Sequence, residues 1–159
     1  MSNIETMSKP DVDEMMKNNK TDDFNTMHLV DFDNARLQIQ EANIQQNGTM
    51  KAHGKTYKYT KLEDIINTAE PILLKHNLVS NFTEIETEEG NAVKIKYRMR
   101  ITHTKNRQYF ESNITVYSGR RSQDIGTQMT YARRYLYESI LLIRGTPDTD
   151  ATDEDQGGV

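Results

Sequence analysis

The chain has no cysteine and no tryptophan, and only three prolines among its 159 residues. Without a thiol there is no disulfide framework, no thiolate metal site and no cysteine nucleophile. Apolar mass is also scarce. Hydrophobic residues make up 35% of the chain, low for a globular protein, so the core is small: one domain with tails, of a kind that oligomerisation often completes. No apolar run approaches the ~20 residues of a membrane span, and residues 1–23 lack the apolar stretch of a signal peptide. A cytoplasmic protein with no membrane partner is expected. His28, His53, His76 and His103 are scattered, with no partner at metal-ligand spacing. Gly54-Lys55-Thr56 resembles the end of a phosphate-binding loop, but the glycine required five positions earlier is Thr49. Neither a cofactor nor a catalytic residue is expected, and the protein reads as a binding protein rather than an enzyme.

Charge is present, but unevenly. The formal net charge of −4 divides into −5 for residues 1–49, +6 for residues 50–144 and −5 for residues 145–159. A basic middle between acidic ends raises the odds of a polyanionic partner. Residues 1–23 are polar and read as disordered, 24–144 as the folded domain, and 145–159 as an acidic disordered tail. The tail acids, Asp148 to Asp155, follow a Gly-Thr-Pro break and lack the rigid support of a two-metal nuclease. They suit a DNA mimic or a docking tail for another protein.

Periodicity gives an α+β fold. A weak helical pattern runs from Phe24 to Ile44, and Gln45 to Lys55 reads as a loop. Thr60-Lys61-Leu62-Glu63 has the form of a capping box. It opens a helix through Leu62, Ile65, Ile66, Ala69, Ile72 and Leu73, in which Pro71 predicts a kink or a break and Asn77 a stop. Three strands follow, at 78–87, 93–102 and 109–117, forming an antiparallel meander. A long C-terminal helix over 122–143 carries an apolar seam of Ile125, Met129, Ala132, Leu136, Ile140 and Ile143, with Gly145 and Pro147 as its stop.

The middle strand carries the sharpest site signal. Side chains alternate across a sheet, so Lys94, Lys96, Arg98 and Arg100 share one face, spaced ~6.6–7 Å apart, near the interval of phosphates along an extended strand. Glu84, Glu86 or Glu111 on neighbouring strands are the acids able to neutralise them. A second cluster joins Arg120 and Arg121, at the entry to the last helix, to Arg133 and Arg134 on it. Tyr131, Tyr135 and Tyr137 are interleaved, and aromatic faces can stack on unpaired bases. Tyr57-Lys58-Tyr59 either anchors its loop against the sheet or contributes to a groove.

Gly126-Thr127-Gln128-Met129-Thr130-Tyr131-Ala132-Arg133-Arg134-Tyr135 resembles the signature helix of the phage essential recombination function (ERF) family of single-strand annealing proteins. The acidic run after it, Tyr57-Lys58-Tyr59 before it, and Pro71-Ile72-Leu73-Leu74-Lys75-His76-Asn77-Leu78 are similar to further family segments in the same order. Asn77 stands where the family usually has glycine, and Leu136-Tyr137-Glu138-Ser139 departs from its smaller, more apolar continuation. The resemblance implies ATP-independent binding of single-stranded DNA, pairing of complementary strands in phage recombination, and assembly into homo-oligomeric rings or filaments. It also implies a three-stranded sheet followed by a long helix. Lys94, Lys96, Arg98, Arg100, Arg120, Arg121, Arg133 and Arg134 are then the candidate backbone contacts, and Tyr131 and Tyr135 the candidate aromatic ones. The acidic tail is left to a host or phage protein. The alternative is a double-stranded-RNA-binding module, which shares the helix, three strands, helix order.

Overall fold

The computed structural model describes the backbone of residues 12–144 and the side chains from Asp23 onward. Both the acidic tail and the expected stop at Gly145 and Pro147 lie outside the described residues. The element order is α1 (Val12–Glu41), β1 (Gly48–Ala52), β2 (Lys55–Tyr59), α2 (Leu62–Lys75), β3 (Leu78–Glu89), β4 (Val93–His103), β5 (Tyr109–Ser118) and α3 (Ser122–Leu141). This is the expected α+β architecture: a β3-β4-β5 antiparallel sheet, a long helix after it and helices before it. A separate two-stranded sheet pairs β1 with β2.

Strand β4 organises the core. Its residues alternate between buried and half-buried along their whole length, so Val93, Ile95, Tyr97, Met99, Ile101 and His103 all face inward. Helix α3 packs over β4 and β5, α2 against β3, and α1 against α2. Leu136, Tyr137 and Leu141 of α3 meet Ile65, Ala69 and Leu73 of α2 in one apolar cluster. Phe32 of α1 stacks on Phe110 of β5 at 4.0 Å, and Asp31 accepts from buried His103 at 2.9 Å. These contacts tie α1 to the end of the sheet.

Three local expectations give way, and a fourth is narrowed. Helix α1 begins at Val12, inside the polar stretch, because no glycine or proline interrupts the chain from Asp11 to Asn47. The stretch read as a loop contains a hairpin, whose turn is His53-Gly54 with both residues at positive φ, 49° and 74°. That is the geometry of a two-residue hairpin turn. The capping box does not form: Lys61 is the N-cap, with no side-chain bond. Buried Thr60 instead donates to the Arg144 carbonyl at 3.2 Å, closing the end of the domain onto the start of α2. Of the kink or break expected at Pro71, the break is absent, since Pro71 lies inside one continuous helix. Pro71 and Asn67, whose carbonyl would otherwise accept from residue 71, are both exposed, so the missing helical bond faces solvent.

Asn77 ends α2 as expected, in the left-handed region at φ 60°. Helix α3 stops by the same device earlier than expected, with Leu142 left-handed at φ 54°. Its seam is also rotated from the simple reading: Met129 is 46% exposed while Tyr137 is fully buried.

Burial, and then the bond it donates to Glu70, raise the Tyr137 phenol above its ordinary 10.0. Burial does the same for Tyr97. The folded chain therefore holds these protons more tightly than the unfolded chain, and stability declines as pH rises past about 10 through the raised values. In urea titrations from pH 8 to 11, Tyr137→Phe is expected to cost about 1 kcal/mol at neutral pH and to decline less steeply at the alkaline end. An unchanged alkaline slope in that variant assigns the decline to other groups.

Candidate nucleic-acid interface

The outer face of the sheet carries the cation stripe as the alternation of β4 requires, but its cations are largely paired. Lys94 meets Glu88 across β3 at 3.1 Å, and that bond raises its pKa. On the β5 side, one Glu111 oxygen accepts from Arg100 Nε at 2.9 Å and Nη2 at 2.7 Å, and lies 3.7 Å from Arg98. Arg100 also covers the Tyr109 ring at 4.1 Å. Among the described residues Lys96 forms no ion pair within 4 Å, although Glu86 is its register partner. Exposed pairs of this kind are worth at most ~1 kcal/mol each, but a phosphate has to displace the acids to use the stripe.

The second cluster is dispersed. Arg120 donates to the Gly90 carbonyl and so holds the β3–β4 turn. Arg121 pairs with Asp124 at 2.8 Å at the start of α3, its side chain 79% exposed. Arg133 turns under the sheet, with its guanidinium 5.8 Å from the centres of the Phe82 and Tyr137 rings. Arg134 and Tyr131 line a cleft, while exposed Tyr135 stacks on Tyr131 at 6.1 Å without entering the lining.

That cleft is open and about 960 Å³ in volume. Its walls are Met50 of the hairpin, Thr115 to Tyr117 of the edge strand β5, and the face of α3 bearing Gly126, Thr130, Tyr131 and Arg134. Tyr59 stands behind Arg134, outside the lining of this cleft. Its ring lies flat across Gly48, where an added Cβ would stand 2.6–2.8 Å from the ring atoms. In that position it supports the Arg134 guanidinium, 4.5 Å above its centre. Arg134 also borders a shallower hollow of about 370 Å³ with Tyr59 and Lys61. Gly126 is the reverse case: a Cβ there meets nothing within 4 Å, so packing within the chain does not require the glycine.

The hairpin is the feature that the charge stripe overshadowed. From Ala42 to Leu62 the sequence has four lysines, Lys51, Lys55, Lys58 and Lys61, and no acid. Register places Met50, Tyr57 and Tyr59 on one hairpin face, with Lys51 and Lys58 on the other. The usable signal was an acid-free stretch containing Tyr57-Lys58-Tyr59. Reading it needed the hairpin, because only that fold carries the stretch over to α3. Met50 and Tyr117 are lining residues with no sequence signal of their own.

Among the described residues no helix is long and apolar enough to cross a membrane, and no cluster of His, Asp or Glu has the form of a metal site. No curated protein matches the chain. The family model of the ERF superfamily matches residues 31–158, which takes in α1 from Asp31, the hairpin, the sheet, α3 and the acidic run. The helix-strand-strand-strand-helix order of the RNA-binding alternative is present in α2 to α3, but the family match accounts for the hairpin and the signature helix as well. The chain belongs to the ERF superfamily, a family of nucleic-acid-binding, self-associating proteins of phage recombination and strand annealing.

Proposed function

We propose that the protein binds single-stranded DNA in the cleft between the β1–β2 hairpin and α3, and that it anneals complementary strands without ATP and without catalysing a covalent step. The observation that carries this reading is Arg134, held on the Tyr59 ring beside Tyr131, in an open groove. A guanidinium fork on an aromatic support suits a phosphate, and the exposed tyrosine faces suit unpaired bases. A shallow, open groove holds the backbone while leaving base edges free to pair. Deep base-specific pockets would oppose annealing. Lys61 continues the positive path past Arg134, Lys55 lies at the hairpin tip, and the sheet stripe serves as a flanking, partly neutralised surface.

The small core and a two-stranded hairpin that is only marginally stable alone both favour completion by self-association. Rings or filaments of this chain are the proposed assembly, with the acidic tail left for a host or phage protein. Annealing of labelled complementary oligonucleotides without nucleotide triphosphate, with electron micrographs taken alongside, tests this reading. Monodisperse monomers that bind duplex and single strands equally would overturn it.

Two variants address the groove itself. Arg134→Ala is expected to make the log–log salt dependence of oligonucleotide binding shallower by about 0.7, the loss of one phosphate contact on a single strand. Gly126→Ala is expected to stabilise the isolated protein by about 0.5–1 kcal/mol, since a mid-helix glycine is costly. The same change should weaken DNA binding, because the added methyl narrows the groove. Unchanged binding in that variant would take the strand away from the middle of α3.

A further inference from the structure

Arg133 and Arg134 are adjacent in the signature, but successive helical residues point about 100° apart, and the two side chains meet different surroundings. Arg134 stands in the cleft. Arg133 is half-buried between α3 and the inner face of the sheet. Its guanidinium lies 5.8 Å from the ring centre of Phe82 on β3, and equally far from that of Tyr137 one turn along α3. Phe82 in turn stacks on buried Tyr97 of β4 at 5.0 Å. Arg133 Nε is buried and has no protein hydrogen-bond partner. Part of the donor fork that a phosphate would need is therefore already withdrawn from solvent, and the side chain is held by the ring faces.

The rings it holds belong to a junction of three elements. Tyr137 of α3 donates to Glu70 Oε1 of α2 at 2.5 Å, and Ser80 of β3 donates to the same oxygen. Ser80 and Tyr137 are themselves 3.2 Å apart. Hydrogen bonding from the Arg133 guanidinium to Tyr137 opposes the rise in the Tyr137 pKa. The junction fixes the rotation of α3 about its own axis, and that rotation decides which residues enter the cleft.

We infer that Arg133 is a positioning residue: it locks α3 through Phe82 and Tyr137, so that Tyr131 and Arg134 face the cleft, and it is not a second phosphate ligand. The assignment rests on the proposed cleft, because its consequence is the aim of the cleft residues. It separates the roles of two arginines that the signature presents as one pair.

The test compares Arg133→Ala, Arg133→Lys and Arg134→Ala in the full chain, by thermal melting without DNA and by the salt dependence of oligo-dT binding at a temperature where each variant is folded. Arg134→Ala should flatten the salt slope and, having lost its stack on Tyr59, melt up to a few degrees lower as well, so the slope is the readout that separates the two arginines. Arg133→Ala should keep the parental slope, melt about 4 °C lower, and bind roughly threefold to tenfold more weakly. A residue of purely structural role would leave the affinity of the folded variant at the parental value. Arg133→Lys keeps the charge but loses the planar face, and should recover neither melting temperature nor affinity.

The inference is overturned if Arg133→Ala melts like the parent, if it flattens the slope as Arg134→Ala does, or if Arg133→Lys recovers full affinity. If Arg134→Ala leaves the slope unchanged, the cleft reading falls. The Arg133 variants then decide that residue's role by their own melting temperatures and slopes.

Discussion

One strand, β4, sets the terms for the rest of the structure. It is paired on both sides and buried on one face, so its alternation sends six residues inward and a row of cations outward. The inward row gives α2 and α3 a surface to cover. The outward row puts like charges on one face of the sheet, and strand pairing brings acids to them: Glu88 from β3 and Glu111 from β5. The register that builds the core thus also settles the electrostatics of the outer face.

The functional geometry follows from how α3 lies on this core. A helix packed on a sheet has one face turned in and one turned out, and the setting of α3 is held by polar contacts as well as apolar ones. Tyr137, Glu70 and Ser80 join α3, α2 and β3 at one point. With the helix held there, Arg134 and Tyr131 come to the side of the hairpin, where Tyr59 supports the guanidinium from below. The cleft therefore draws on elements far apart in the chain, and Gly48 contributes only by letting a ring lie flat on its strand.

Much of the architecture was legible in the residues. The strict alternation of Val93 to Ile101 with Lys94 to Arg100 identified a half-buried strand, and the strands read on either side of it made it the centre of a meander. Asn77 was readable as a helix stop because a short amide side chain tolerates the left-handed conformation. Where local signals misled, a distant contact had prevailed. Thr60 had the form of a cap, but its hydroxyl is taken by Arg144 at the other end of the domain. The hairpin was hidden because His53-Gly54 is a weaker turn signature than Asn-Gly, and because lysines obscured the alternation of Met50, Tyr57 and Tyr59.

The sequence by itself determined the element types, the basic middle of the chain, the sharing of one face by four cations and the likeness to annealing proteins. The element types and the shared face follow from local periodicity, which survives folding; the basic middle is a matter of composition, and the likeness rests on the motif from Gly126 to Tyr135. Which cations remain available was decided by the tertiary structure alone. Neutralisation depends on acids brought across strands, and access depends on the rotation of a helix about its own axis. Neither is encoded in spacing along the chain. Arg133 and Arg134 are one residue apart in sequence, and the packing of α3 places one beneath the sheet and the other in the cleft.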